Sequence, residues 1–427
     1  MVWDDVFYEE VKLTKMETEL TLTPEFNRIK GITQLGLVYL APQFPSAQHT
    51  RYNHSIGVLH LANKAGIHFS LNEEQITALR IAALLHDIGH GPFSHFSEKI
   101  LGWLGVNVKH EDVSARIIKK SSNIGKIWRK YANLPNRDLI ADIISKKPSD
   151  YPILNKILSN DIDIDRIDYL LRDLKFTGLG YSLNCDRLIH GLTPIVCNTD
   201  TAIKEDYTTD VNSLLLSRVL LRQHVYYEPI HRAAEVLIFD SLQKTMKEKG
   251  NSTFNNLKPN ELERKLFEMN DGAFLFELGN ASKENQQLIK EIKQGKVYDF
   301  HLTLKWRQLS PYLQDEIINN ESKPFKENFK LSNKIRQGLS GYLRINQDEI
   351  FVDIPKLERL EEASMKVFTV DNKIMRLEDF SALARSLKDV YREVWSMLVF
   401  IRSKRKEKIN FKNIEENIRS FFSSWRE

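Results

Sequence analysis

Ala83-Leu84-Leu85-His86-Asp87-Ile88-Gly89-His90-Gly91-Pro92-Phe93-Ser94-His95 puts three histidines and an aspartate at the end of an apolar run. The run, Ile76 through Leu85, predicts a buried helix opened by Asn72, Glu73 and Glu74 and stopped by Gly89-His90-Gly91-Pro92. The partial negative charge of a helix C-terminus favours a cation. Imidazole beside carboxylate is also a ligand set for a divalent metal. Taken alone, His86 would read as an idle, hydrogen-bonded core histidine.

Two further stretches change that reading. Upstream, His49-Thr50-Arg51-Tyr52-Asn53-His54-Ser55-Ile56-Gly57 opens a second amphipathic helix through Val58, Leu61 and Ala62. Downstream, Asn160-Asp161-Ile162-Asp163-Ile164-Asp165-Arg166-Ile167-Asp168-Tyr169 runs into Leu170-Leu171-Arg172-Asp173. The alternating aspartates imitate a calcium loop, but Arg166 stands where that loop needs glycine and Arg172 where it needs glutamate. As a helix, the stretch puts Asp165, Asp168, Tyr169 and Arg172 on one face. A His, then His-Asp, then Asp, each on a helix, makes a site of two imidazoles and two carboxylates.

This order resembles the HD-domain phosphohydrolases, and within them the dNTP triphosphohydrolase branch. Gln34-Leu35-Gly36, Arg51 to Gly57, His86 to His95, His110-Glu111 and Asp163 to Tyr169 fall in that branch's order. The likeness is dense from Pro24 to Asp173, thin to Leu278, and suggestive at Phe351-Val352-Asp353-Ile354-Pro355. It implies His54, His86, Asp87 and Asp165 as ligands of a divalent metal, whether Fe, Mn, Zn, Ni or Mg. It implies His90, His95, Glu98 and His110 as catalytic, proton-handling groups, His95 and Glu98 sharing a face if a helix starts near Ser94. Substrate contacts would come from Gln34, Leu35, Arg51, Arg166, Tyr169, Asp173, Tyr226 and Tyr227. Arg51 has its own argument: a guanidinium forks onto phosphate oxygens beside the free N–H groups of a helix start.

The implied activity is metal-dependent hydrolysis of a deoxynucleoside triphosphate to nucleoside and inorganic triphosphate. The alternatives are a phosphodiesterase or phosphatase on another nucleotide, and a non-catalytic nucleotide-sensing module. Two departures stand out. The family's phosphate-holding His and Lys beyond the sugar-gating tyrosine (Tyr226, with Tyr227 next) fall on Glu228 and Pro229. The acidic and basic residues of its activating guanine site fall on Leu22 and Lys30, so activation by guanine nucleotides is expected to be absent or weak. Relatives assemble into homo-oligomers, and the apolar helices from Val211 to Phe239 suggest the same here, as a dimer or tetramer.

The chain has 427 residues, a formal net charge of +4 and two cysteines, Cys185 and Cys197. Such a mild charge demands no nucleic-acid or membrane partner. The basic Lys119 to Lys130 stretch could touch nucleic acid but reads better as a solvated helix face, and so does Arg402 to Lys408. Two cysteines without a CxxC pair fit a reducing cytoplasm. Met1-Val2-Trp3-Asp4-Asp5 carries no signal-peptide features, and Val211 to Tyr227 is broken by Arg218 and Arg222 and does not span a membrane. The expected fold is mainly α. An HD-type helical core with its N-terminal extension covers 1–245, a helical extension 246–345, and a small α+β region 346–427, with a soft boundary at Gly250-Asn251-Ser252. Within these, Val2 to Leu22 predicts a strand or two, and Phe26 to Leu37 a helix capped by Thr23-Pro24. Thr193 to Lys204 predicts a hairpin turning at Asn198-Thr199-Asp200, and Val211 to His224 a helix, with another through Phe239. Glu349 to Ile354 and Met365 to Val370 predict strands before a closing helix, Ser381 to Ile401.

Overall fold

The structure, a computed structural model, describes residues 2–131, 133–180, 183–197, 199–248, 252–320, 323–358, 360–403 and 413–425. The expected turn residue Asn198, the boundary at Gly250-Asn251 and residues 404–408 of the basic run lie outside the described residues.

The fold is mainly α, as expected, and helix caps written in the sequence set its frame. The Arg51–His68 helix is opened by Thr50, whose side chain and that of Asn53 form a reciprocal capping box. Asn72 and Gln75 do the same for the Glu73–Leu85 helix, and Asp163 caps the Ile164–Thr177 helix. The first two helices pack on each other, and the third packs on the first. Val58, Leu59, Leu61, Ala62 and Ala65 on one side and Ala78, Leu79 and Ile81 through Leu85 on the other are wholly buried. This packing brings the first turns of the Arg51–His68 and Ile164–Thr177 helices to the C-terminal end of the Glu73–Leu85 helix.

The N-terminal residues form a hairpin, Val2–Asp5 against Glu9–Lys12. A helix not anticipated from the sequence, Lys15–Thr21, comes next under a Thr14–Glu17 capping box. Thr23 caps the following helix with Pro24 at its first position, but that helix stops at Arg28, well short of Leu37. Gly36 has φ +58°, and Thr33 bridges to Thr50, so the chain around Gln34 is pulled out of helical geometry onto the start of the Arg51 helix.

Two small sheets complete the chain. Leu192–Ile195 and Asp200–Lys204 form the expected hairpin, and Lys366–Phe368 joins it in parallel, with Ile374–Arg376 at the edge. The second sheet has Ser396–Ile401 at its centre, between Phe300–Lys305 and Ile350–Asp353. This corrects two expectations. The closing helix ends at Glu393, and Ser396 through Ile401 is a strand. The stretch 246–345, expected to be helical, contributes the strand Phe300–Lys305. All six residues of Ser396–Ile401 are buried, so the strand lacks the alternation that betrays a half-exposed one.

The apolar helix expected over Val211–His224 runs Thr208–Leu221 and passes into a π-helical turn, Arg222–Tyr226, before the Pro229–Lys247 helix. Leu214, Leu215, Ala233, Ala234 and Ile238 are buried within the chain, so their apolarity marks an internal core and gives no outer interface. Lys119 pairs with Asp138 and Asp142, and Lys130 with Glu19, as a solvated face does. Among the described residues no helix is long and apolar enough to cross a membrane.

Phe400 is fully buried on the central strand and stacks on Phe351 with ring centroids 5.0 Å apart. Phe400→Ala should destabilise the protein by about 3–5 kcal/mol in denaturant titration. Val370→Ser, at a residue 77% exposed, should stay within about 0.5 kcal/mol. Similar small losses in both would remove Ser396–Ile401 from the centre of the core.

Candidate active site

His54 lies one turn into the Arg51–His68 helix, His86 caps the end of the Glu73–Leu85 helix, and Asp165 lies in the first turn of the Ile164–Thr177 helix. Their donor atoms converge. His54 Nε2 is 2.9 Å from Asp165 Oδ1, 3.3 Å from His86 Nε2 and 3.7 Å from Asp87 Oδ2. His86 Nε2 lies 3.3 Å from Asp87 Oδ1 and 3.7 Å from Asp165 Oδ1. Atoms that each lie about 2.1 Å from one ion are separated by about 3.0–3.4 Å, so this spacing suits a common divalent cation.

Each histidine commits its Nδ1 to the protein. His54 Nδ1–H donates to Asp168 Oδ2 at 2.8 Å, and His86 Nδ1–H to the Ala83 carbonyl at 2.7 Å. That tautomer leaves both Nε2 lone pairs free to face an ion. Asp168 is held in turn by Arg172, whose Nε donates to the same oxygen at 2.7 Å. Burial pushes the His54 ring down, but bonds to Asp165 and Asp168 and the charges of Asp168 and Asp87 outweigh it and lift the pKa to about 9. Asp87 is held well below the usual carboxylate range against its burial, by His86, Arg51 and His90.

A second cluster adjoins the first through Asp87. His90 Nε2 lies 3.2 Å and His110 Nε2 3.8 Å from Asp87 Oδ1. The helix expected near Ser94 runs His95–Trp103, and one Glu98 oxygen takes His95 Nδ1 at 3.1 Å and His110 Nδ1 at 2.9 Å. His90 and His110 stack with centroids 3.8 Å apart. His90, His95, Glu98 and His110 also group their donor atoms closely enough to hold an ion of their own. Only His95 of the four is open to solvent, at 60%. Burial lowers the His110 ring, but Glu98 at contact, with Glu111 and Asp87, raises it to about 9. For His90, burial with Arg51 and His110 nearby keeps the ring well below its ordinary value, and so neutral.

The expected substrate residues divide. Gln34 is buried with its side-chain oxygen unpartnered, while its backbone N–H bonds the His49 carbonyl; Leu35 beside it is half-buried. Arg51 is buried and already paired, Nη1 to Asp87 Oδ2 at 2.9 Å and Nε to Ser94 Oγ at 2.8 Å. Asp173 ties His49 Nε2, at 2.9 Å, to the Tyr226 hydroxyl, at 2.8 Å. Tyr227 turns away: its hydroxyl accepts from Arg222, and its ring packs on the core of the three-stranded sheet. Glu228 is the N-cap of the next helix and Pro229 its first residue, which explains why no phosphate-holding pair stands there.

Three groups escaped the sequence reading. Arg218 Nη1 donates to the Tyr169 hydroxyl at 2.7 Å and pairs with Glu362 at 2.9 Å. Glu362 also pairs with Arg166 Nε at 3.3 Å, and Arg222 pairs with Glu358. The signal for Arg218 and Arg222 was present as two arginines four apart in an otherwise apolar helix. Glu362 comes from a distant segment and left none. Leu22, where a guanine-binding acid would fall, is 64% exposed, and Lys30 lies 4.6 Å over the Tyr52 ring.

His54 and His110 are both raised to about 9, so their protonated forms favour the folded state. That contribution is whole below an unfolded pKa of about 6.5 and is lost as pH rises through about 9. Metal-free protein should therefore lose on the order of 1–3 kcal/mol per histidine between those limits. His110→Gln should remove about half of the slope in denaturant titrations run along the pH series. An unchanged slope would contradict the His110–Glu98 pairing.

The HD domain family matches residues 51–173, and the HD associated region matches residues 183–418. An uncharacterized protein of Methanocaldococcus jannaschii is 29% identical over 422 residues, covering 97% of this chain and 82% of its own length. The uncharacterized protein YwfO of Bacillus subtilis is 33% identical over 238 residues, with 54% of this chain and 52% of the relative covered. The deoxynucleoside triphosphate triphosphohydrolase SAMHD1 of Homo sapiens is 25% identical over 280 residues, covering 57% of this chain and 44% of that protein. A solved structure of a hypothetical protein from Aquifex aeolicus superposes with a TM-score of 0.71 at 23% identity, covering 98% of this chain and 99% of that one. A phosphohydrolase from Bacteroides thetaiotaomicron gives 0.72 at 19% identity, over 94% of this chain and 100% of that one. The HD domain spans the converging histidines and aspartates, and the associated region spans most of the chain beyond them, so the chain belongs to the HD-domain family of metal-dependent phosphohydrolases.

Proposed function

We propose that the chain hydrolyses deoxynucleoside triphosphates to deoxynucleoside and inorganic triphosphate, with a divalent cation held by His54, His86, Asp87 and Asp165. The observation that carries this reading is the arrangement of two imidazoles whose Nε2 atoms face two carboxylates, between a proton-bearing His–Glu cluster and half-buried arginines. A cation there supplies Lewis-acid polarisation of a phosphoryl group and acidification of water.

The chain's own groups then divide the work. Arg166 and Arg218 hold the polyphosphate, being half-buried guanidiniums beside Tyr169 and Glu362. Arg51 fixes Asp87, so it acts on metal and substrate together. His95, open to solvent and bonded to Glu98, gives a proton to the leaving 5′-oxygen, and His110 keeps Glu98 ionised behind it. The unpartnered Gln34 oxygen and the Tyr226–Asp173–His49 group line the sugar. The SAMHD1 relatives, named for this activity, support the substrate class. A homo-oligomer and a cytoplasmic location rest on the family resemblance and the cysteine content.

Purified protein given each dNTP with Mn²⁺ or Mg²⁺ should release inorganic triphosphate. Release of single phosphates, or no release with any nucleotide, metal or added GTP, would refute the reading. His86→Ala and Asp87→Ala should each lose bound metal with helical circular dichroism retained; wild-type metal content in either would remove that ligand. Arg218→Ala should raise KM about 10–100-fold with metal retained, the cost of one charge-assisted hydrogen bond. An unchanged KM would return Arg218 to a purely structural pair with Glu362.

A further inference from the structure

Resting on that metal reading, we infer that the N-terminal hairpin belongs to the metal centre. Tyr8 and Asp5 lock the carboxylate that orients His54, so docking of the hairpin and binding of the cation stabilise each other.

The chain of contacts is continuous and dry. Asp168, wholly buried, accepts the His54 Nδ1 proton on Oδ2 and the Tyr8 hydroxyl proton on Oδ1, both at 2.8 Å. Arg172, 1% exposed, donates its Nε to Asp168 Oδ2 and from Nη2 reaches Asp5 Oδ2 at 2.8 Å. Two of the three groups that bond the Asp168–Arg172 pair therefore come from one short hairpin at the start of the chain. The phenol of Tyr8 also stacks on His60, on the same helix as His54, at 4.7 Å. A Cβ on Gly57 would fall on the Asp168 carboxylate and the Arg172 guanidinium, so this pair lies flush against the His54 helix.

The hairpin is small, and besides these contacts it is seated by buried Val11, by the Trp3 ring against Tyr52 and by Arg80 on the Lys12 carbonyl. Its strands are four residues each, and Val2 and Val6 are 52% and 64% exposed. A two-stranded hairpin of that size is marginal on its own in water. Tyr8, Asp5 and the Phe7 ring over Arg172 are its contacts to the polar side of the His54 helix. The metal ligand gains from the same contacts: without them Asp168 loses its third donor residue and Arg172 its second acceptor, and Arg172 alone is left to hold the carboxylate in place for the His54 ring. Loss of such an outer partner typically lowers metal affinity about 10–100-fold. Coupling of this kind is reciprocal, so the cation must tighten the hairpin by the same factor.

The test uses full-length protein stripped with chelator and titrated with Mn²⁺ by calorimetry, alongside Tyr8→Phe, Asp5→Asn and His54→Ala. Tyr8→Phe removes one hydroxyl and leaves the ring stack, so it should fold. We expect each hairpin variant to bind Mn²⁺ about 10-fold more weakly. We also expect amide exchange over residues 2–12 of the wild type to slow when Mn²⁺ is added. Wild-type Mn²⁺ affinity in both hairpin variants, or exchange that ignores Mn²⁺, would overturn the inference. If His54→Ala binds Mn²⁺ as tightly as wild type, the metal reading itself has failed; if only the hairpin variants do so, the coupling alone has failed.

Discussion

The structure depends on how two imidazoles are oriented. His54 and His86 each donate Nδ1–H to a fixed acceptor, one to a buried carboxylate and one to a carbonyl of its own helix. Both Nε2 atoms then point into one small volume with Asp87 and Asp165. Asp165, Asp168 and Asp87 surround His54, which is why its pKa rises to about 9 when burial alone would lower it. The strong perturbation of this group is thus a sign of a site built for positive charge.

Much of this was legible because the relevant signals are local. Thr50, Asn72, Asp163 and Thr23 cap helices as their side chains dictate, and the Thr50 and Asp163 caps set where His54 and Asp165 fall at the helix starts. The errors came where tertiary contacts decide. Ser396 through Ile401 is apolar at nearly every position, and a buried strand and a buried helix look alike under that pattern. The Pro24 helix breaks because the Thr33–Thr50 bridge and the positive φ of Gly36 pull the chain away after Arg28. Neither influence is visible within a window of a dozen residues.

The site shows the same division. Candidate ligands that share a motif could be proposed from the chain alone, but their alliances could not. Arg51 reads from position as a free fork for phosphate, whereas it is held between Asp87 and Ser94. Arg218 and Arg222 read as interruptions of an apolar helix. Their meaning comes from Tyr169, Glu358 and Glu362, which lie far away along the chain.

Glu362 shows what such a long-range partner does to the charge of the site. It is 1% exposed, and an isolated carboxylate in that position would cost several kcal/mol. Arg166 and Arg218 share it, which offsets that cost and suppresses the repulsion between two neighbouring guanidiniums. The three groups together carry a single positive charge. The four proposed ligands carry two negative charges, which a divalent cation cancels. A polyphosphate entering the proposed site would therefore meet one net positive charge if the metal is bound and none if it is not, since His54 then carries a proton. In this reading nucleotide affinity follows metal occupancy, because the arginines alone hold too little uncompensated charge to bind the anion.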